Sequence, residues 1–150
     1  MDAALWYGTF NGEGGVSMNV IITLPKPLII AIIEGTKTFE MRKCRPKQMK
    51  VGEDGFFVVE KGTKRIHCWC RVDEIQTVSG LFSLTKETCK MLAVSKEYVD
   101  TYRSNAKFIY LWRIGKVKRF EDGAVTLQDL VVDRAPQSFA YCPLSFGESF

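Results

Sequence analysis

The stretch GTKTFEMR, residues 35–42, combines a lysine, a glutamate and an arginine with strand-forming neighbours. Side chains two residues apart in a β-strand lie on the same face of the strand. Glu40 and Arg42 are therefore predicted to share one face at a separation of roughly 6–7 Å, while the hydrophobic residues of the strand face the core. Lys37 lies in the turn before the strand, where the backbone can direct its amine toward the same place. The spacing thus predicts a cluster of three charged groups.

Such a cluster suits a ligand that carries phosphates or hydrogen-bonding edges. A carboxylate between two cations stays ionised, and the cluster keeps one surplus positive charge. Arg42 would donate paired hydrogen bonds from its planar guanidinium group to a phosphate or a base edge. Lys37 would act as a mobile point charge, and Glu40 would accept a hydrogen bond from a base amino group. A structural ion-pair network that joins a helix to a strand explains the same residues. Spacing alone does not decide between the two interpretations.

The pattern of hydrophobic and turn residues predicts the elements that position this cluster. Runs rich in β-branched and aromatic residues predict strands at 19–24, 38–44, 56–60, 65–73 and 108–120, with a break or bulge near Gly115 and a last strand in the C-terminal tail. Helices are predicted at 27–34, from near 85, and at 96–103, with boundaries marked by Pro27, Gly35 and Ser95. The result is an α+β domain whose five or six strands form a curled or closed sheet with short flanking helices.

Length and composition indicate one globular domain in a reducing compartment. The chain has 150 residues, of which 46% are hydrophobic and 25% charged. This length is enough to form a hydrophobic core, and this composition is too apolar for a disordered chain. We predict an N-terminal extension at 1–17 and a single domain at 18–150. The longest apolar run, 28–33, is far short of a membrane span, and five cysteines without an export signal indicate reduced thiols. We therefore expect a cytoplasmic monomer with no membrane partner.

Basic residues are unevenly distributed along the chain, although the net charge is only +4. Residues 34–50 contain six basic residues and two acids, and residues 107–119 contain five basic residues and no acid. Such segregation can focus a positive field on one face, which suits phosphates. Arg45, Lys47 and Lys118 are accordingly predicted to extend a phosphate track from the cluster. The alternative is that these charges are solvated around the sheet.

The predicted strand RIHCWCRVD raises a separate question on each of its faces. Cys68 and Cys70 form a C-x-C pair, but a zinc site needs four ligands, and the sequence has no second ligand pair to complete one. We therefore predict inward-facing thiols and no metal. The other face carries Trp69 between His67 and Arg71. If that face is open, Trp69 can stack on unpaired bases, and if it is covered, Trp69 belongs to the core. No glycine-rich phosphate-binding pattern is present, so no nucleotide cofactor is expected.

The segment LPKPLIIAIIEGTKTFEMRKCRPK resembles the start of an ASCH domain, whose motif is G-x-K-x-x-E-x-R. Gly35, Lys37, Glu40 and Arg42 occupy its four positions. Similarity continues in order through RIHCWCRVDEI, AVSKEYVDTYRSNAKFIYLW and VKRFEDGAVTLQDLVVDRAPQSFAYCP, so the resemblance covers about residues 19–144. Within the family, the sequence is similar to a branch described as predicted transcriptional regulators.

The resemblance implies a PUA-like mixed β-barrel with a cleft beside the first helix, lined by the motif residues. Members of the family are thought mainly to bind nucleic acid, which makes RNA the expected partner and Trp69 a candidate contact. Some small members resemble amidohydrolases that act on N4-acetylcytidine, so one alternative is an amidohydrolase or ribonuclease that uses Lys37 and Glu40. In those enzymes a threonine stands where this chain has Glu40. A third possibility is a small-ligand-sensing regulatory module that uses the same cleft.

Overall fold

A computed structural model describes residues 5–7, 9–10, 16–79, 84–130, 134–142 and 144–146. The strands within these residues are β1 (Leu5–Tyr7), β2 (Thr9–Phe10), β3 (Val16–Ser17), β4 (Asn19–Leu24), β5 (Phe39–Arg42), β6 (Gly55–Glu60), β7 (Ile66–Ser79), β8 (Phe108–Arg119), β9 (Phe139–Cys142) and β10 (Leu144–Phe146). The helices are α1 (Lys26–Glu34), α2 (Lys86–Leu92) and α3 (Lys96–Arg103). None of these helices has the length and hydrophobicity needed to cross a membrane.

The main sheet has the strand order β5-β8-β7-β6-β4-β9. β4 and β6 are parallel, and every other neighbouring pair in this sheet is antiparallel. The six strands curl into a half-barrel with short helices around it, which confirms the predicted α+β class. The predicted N-terminal extension contributes β1, which pairs with β10, and β2, which pairs with β3. β5, which carries most of the charged motif, is an edge strand of the main sheet.

The end of α1 determines where the motif lysine lies. Pro27 is in the first turn of the helix, and Gly35 ends the helix with a left-handed φ of 84°, a conformation that glycine adopts without steric cost. The amide of Lys37 then donates to Ala31 O at 3.0 Å. The chain therefore folds back against the end of α1, with Lys37 in the short connection from α1 to β5.

The connection from α2 to α3 packs on the other face of β5. Thr85 and Ser95 cap the two helices, because each hydroxyl accepts a hydrogen bond from the backbone amide three residues later. Both helix starts agree with the predicted ones. Met41 of β5 is buried in one hydrophobic cluster with Leu92 and Val99. This cluster holds the C-terminal end of α2 beside β5.

β7 is longer than predicted. The prediction ended at Asp73, but the strand continues to Ser79 because its later residues stay paired with β8. That part is largely polar and exposed, as at Gln76, so the hydrophobic pattern of a buried strand is lost there. The β7–β8 register shifts after Cys70, which confirms the irregularity predicted near Gly115. A Cβ at Gly115 would collide with the Asp73 carboxylate, so a larger residue there would require the Asp73 side chain to move.

Cys68 and Cys70 point into the core beneath α1, as predicted. Both are fully buried and pack in one cluster with Ile29 and Trp112. Burial raises the pKa of the Cys70 thiol well above its ordinary value, and the neighbouring Cys68 raises it further, so Cys70 stays a neutral thiol. Within the described part of the chain, no group of three or more histidine, cysteine, aspartate or glutamate side chains is placed to hold a metal ion.

The burial of the thiols predicts their reactivity. Cys44 is partly exposed, whereas the other four cysteines are buried. An aromatic disulfide reagent is therefore expected to modify one thiol per folded chain quickly and the other four only on unfolding, because the reaction needs an accessible thiolate. Cys44→Ser should remove the fast phase. Fast reaction of more than one thiol, or a stoichiometric zinc ion that is lost in Cys70→Ser, would contradict this assignment.

Candidate functional site

The three charged side chains of the motif meet in one buried cluster. Glu40 lies between the other two, with Oε1 at 3.2 Å from Lys37 Nζ and Oε2 at 2.9 Å from Arg42 Nε. The side chains of Lys37, Glu40 and Arg42 are only 2%, 5% and 9% exposed. Glu40 is paired in register with Trp112, which packs in the cluster under α1. The charged cluster therefore lies on the α1 side of the sheet and carries one net positive charge.

All donors of the Lys37 ammonium group are engaged. Nζ donates to Phe39 O at 2.7 Å and to Leu92 O at 2.8 Å, in addition to its ion pair with Glu40. These three acceptors match the three N–H donors of an ammonium group. The prediction of a mobile point charge is therefore wrong, because Lys37 is fixed between the end of α2 and β5 and positions Glu40. The same coordination does not favour Lys37 as a general base, since an ammonium group has no lone pair to accept a proton.

Arg42 retains unused hydrogen-bonding capacity. Its Nε is close enough to Glu40 for an ion pair but is not aligned for a hydrogen bond, and its Nη2 is buried without a hydrogen-bond partner among the described residues. A buried donor that lacks an acceptor carries a free-energy cost. A ligand acceptor that hydrogen-bonds to Nη2 of Arg42 would remove this cost, so Nη2 is the atom where such a bond would contribute most to the binding free energy.

The cluster lines a cleft of about 420 Å³. The walls come from the end of β4, the start of α1, β5, the α2–α3 region and the C-terminal arm at 135–137. Residues that line it together with the charged cluster include Leu28, Lys61, Tyr98, Tyr102 and Pro136. A volume within about 300–1,000 Å³ is typical of sites for small molecules. The cleft therefore has the size for one nucleotide-like group and is too small for a duplex.

Tyr102 connects the aromatic wall of the cleft to the charged cluster. Burial raises the pKa of the Tyr102 hydroxyl, while the nearby positive charge of Arg42 acts in the opposite direction. Tyr102 therefore stays a neutral phenol near neutral pH. Lys43 Nζ lies 5.0 Å from the centroid of the Tyr102 ring, within the distance of a cation–π interaction. These contacts fix the orientation of the ring.

Comparison with known proteins agrees with this arrangement. The family profile of the ASCH domain matches residues 22–123, more than half of the chain, and includes the whole charged cluster. The chain belongs to the ASCH domain family. A crystal structure of ASCH from Zymomonas mobilis has a TM-score of 0.65 and 16% identity, and the alignment covers 82% of this chain and 86% of that chain.

A mutant form of the Zymomonas mobilis protein has a TM-score of 0.65 and 14% identity, over 82% of this chain and 87% of that chain. At this level of identity, the likeness concerns the ASCH fold, which is PUA-like as the sequence resemblance implied. No curated protein matches the chain significantly.

In this ASCH domain, Arg45 and Lys47 lie in the loop that follows β5. Both side chains are exposed, and neither lines the cleft. The loop is next to the C-terminal arm, since Cys44 Sγ is 3.8 Å from Ser138 Oγ. Arg45 and Lys47 are therefore on the flank of the cleft, where exposed cations can contact phosphates without entering it.

The structure does not bring Trp69 and Lys118 to the ASCH cleft. Trp69 is only 4% exposed and packs in a hydrophobic cluster with Phe120 and Leu127, while its indole N–H donates to Asn19 Oδ1 at 3.0 Å. The chain after β8 covers this face, so of the two alternatives that the sequence left open, Trp69 belongs to the core and is not a candidate contact for bases. Lys118 is paired in register with Trp69, so it projects from the face of the sheet opposite the charged cluster and cannot continue a phosphate track from it.

The sequence predicted an ordered C-terminal arm, but it did not assign the arm or the aromatic wall to the site. Tyr98 and Tyr102 are four residues apart on α3, a spacing that places side chains on one stripe of a helix and that the sequence does contain. The arm carries no such local signal. It is fixed by a distant contact, in which Thr23 Oγ1 of β4 donates to Pro136 O at 2.7 Å. Lys61, an exposed residue in the turn after β6, also lines the cleft.

Proposed function

We propose that this ASCH domain binds single-stranded RNA and takes one unstacked base into the cleft. The observation that carries the proposal is at Arg42, a residue of the cleft lining, whose buried Nη2 has no hydrogen-bond partner among the described residues. A carbonyl oxygen or ring nitrogen of a base would satisfy this donor. Each carboxylate oxygen of Glu40 has one cation close to it and retains a further acceptor site for an exocyclic amino group. Unstacked bases in single strands are the usual targets of specific RNA recognition.

The distribution of charge around the cleft supports the same proposal. The buried cluster carries one net positive charge, and Lys61 adds an exposed cation at the cleft wall. Arg45 and Lys47 supply further cations on the flank. A base inside the cleft would leave its neighbouring phosphates near these exposed side chains. Phosphate contacts of this kind give affinity that falls as salt rises.

Fluorescence anisotropy with labelled oligonucleotides tests the proposal. We expect the protein to bind single-stranded RNA more tightly than duplex RNA of the same sequence, because the cleft admits only one nucleotide. The logarithm of the binding constant should fall with the logarithm of salt concentration, with a slope of about −0.7 for each phosphate contacted. Chromatography of the same samples, together with free cytidine and N4-acetylcytidine, should show no product.

Each competing function predicts a different result in these samples. Conversion of N4-acetylcytidine or cleavage of the RNA, without salt-sensitive binding, would replace the proposal with a hydrolase. Binding of free nucleosides without any binding of RNA would replace it with a small-ligand-sensing module. Equal affinity for duplex and single strand would contradict entry of an unstacked base.

A further inference from the structure

Helix α3 places two parallel tyrosine rings on the wall of the cleft. The planes of Tyr98 and Tyr102 differ by 6°, and their centroids are 6.4 Å apart. Both residues line the same cleft as Glu40 and Arg42. The cleft thus combines hydrogen-bonding groups with aromatic faces, which are the two kinds of group that recognise an unstacked base.

The two tyrosines differ in their surroundings. Tyr102 packs against the hydrophobic cluster of α2, α3 and β5, and its ring is close to Lys43. Tyr98 is 47% exposed and joins none of the hydrophobic clusters formed by the described residues. Tyr102 is therefore a fixed part of the wall, whereas Tyr98 has ring surface left for a ligand.

We propose that Tyr98 is the stacking platform for the base that enters the cleft. This inference rests on the proposed RNA binding and identifies the group that would recognise the face of the base, while Arg42 and Glu40 recognise its edge. The preferred ligand is then a planar nucleobase, and a phosphate or a sugar alone would not exploit this surface. Aromatic stacking tolerates every base because each has a π-face. Tyr98 takes the role that the sequence had suggested for the buried Trp69.

The test compares a base-bearing strand with an abasic strand of the same length and charge. Wild-type protein should bind a uridine oligomer of about eight nucleotides more tightly than the matching abasic oligomer, by about tenfold or more, as expected for stacking of one base. Tyr98→Ala should reduce this preference by about tenfold, with the base-edge contacts retained, and should leave the salt dependence unchanged because no charge is lost. Tyr98→Phe should keep the preference, since the ring remains. Phe108→Ala is the matched control, because Phe108 is an exposed aromatic residue, at 51%, outside the cleft lining.

The possible outcomes separate this inference from the function on which it rests. A reduced preference in Tyr98→Ala, but not in Tyr98→Phe or Phe108→Ala, supports the stacking platform. An undiminished preference in Tyr98→Ala would overturn it and leave RNA binding intact. Equal binding of both strands by wild-type protein would also overturn it, whereas absence of binding to either strand would overturn the proposed function as well. Circular dichroism melting of each variant checks that the fold is retained.

Discussion

Replacement of Glu40 by glutamine is expected to lower the free energy of unfolding by about 3–5 kcal/mol, the cost typical of removing one partner from a buried ion pair. Glutamine preserves the size of the side chain, but it leaves Lys37 and Arg42 buried beside each other without a counter-charge. Neither cation can turn into solvent easily, because their side chains are only 2% and 9% exposed. Urea unfolding followed by tryptophan fluorescence measures the change.

A matched control is available in an exposed ion pair. Glu53 lies 3.5 Å from Lys50, and their side chains are 60% and 41% exposed. Glu53→Gln should change the free energy of unfolding by less than about 1 kcal/mol, because exposed pairs contribute little. Equal stability of Glu40→Gln and wild-type protein would show that the buried cluster does not depend on the Glu40 charge.

Glu40→Gln is expected to affect stability and RNA binding in different directions. The cleft of Glu40→Gln carries one more positive charge than that of the wild type, so a single-stranded RNA should bind to the folded variant with equal or greater affinity. A ligand that binds only the folded state raises the free energy of unfolding by an amount that grows with the logarithm of its affinity. Saturating RNA should therefore raise the melting temperature of Glu40→Gln at least as much as that of the wild type. A smaller increase would indicate that Glu40 itself supplies most of the binding.

Local rules of chain conformation predict the central part of this site. The period of a β-strand places Glu40 and Arg42 on one face, and the structure joins them through an ion pair at 2.9 Å. The left-handed preference of glycine predicts the end of α1 at Gly35, and that turn brings Lys37 back toward the strand. These predictions depend on residues within a few positions of one another. They therefore needed no knowledge of the tertiary structure.

Contacts between residues that are distant in the sequence determine the remaining parts of the site. Lys37 is fixed because it reaches Leu92 O, 55 residues later in the sequence, and no local pattern predicts that meeting. Trp69 shows the same limit. Alternation predicted which residues share its face, but whether that face is open depends on the segment after β8, whose Leu127 packs in the same cluster as Trp69. Tyr98 likewise becomes part of a site only because α3 lies beside β5.

Arg42→Gln is expected to weaken the binding of single-stranded RNA by about 10- to 100-fold. A hydrogen bond to a charged group contributes about 1.5–3 kcal/mol, and each tenfold change in affinity corresponds to about 1.4 kcal/mol. Because Arg42 is proposed to contact the base edge inside the cleft, the loss should be similar at every salt concentration. Arg42→Lys should bind almost as weakly, since a flexible ammonium group keeps the charge but not the planar fork of donors. Anisotropy titrations at several salt concentrations measure both effects.

Arg45→Gln is the matched control for Arg42→Gln, because Arg45 is an exposed arginine on the flank of the same cleft. If Arg45 contacts a phosphate, its loss should reduce the steepness of the salt dependence by about 0.7 and leave the preference for single strands unchanged. The two substitutions therefore have different signatures. Arg45→Gln changes the salt dependence of binding, whereas Arg42→Gln lowers the affinity at all salt concentrations. Full rescue of binding by Arg42→Lys would mean that Arg42 acts through charge alone. Affinity of Arg42→Gln within twofold of the wild type would remove the base-edge contact, because the buried Nη2 is the group assigned to that contact.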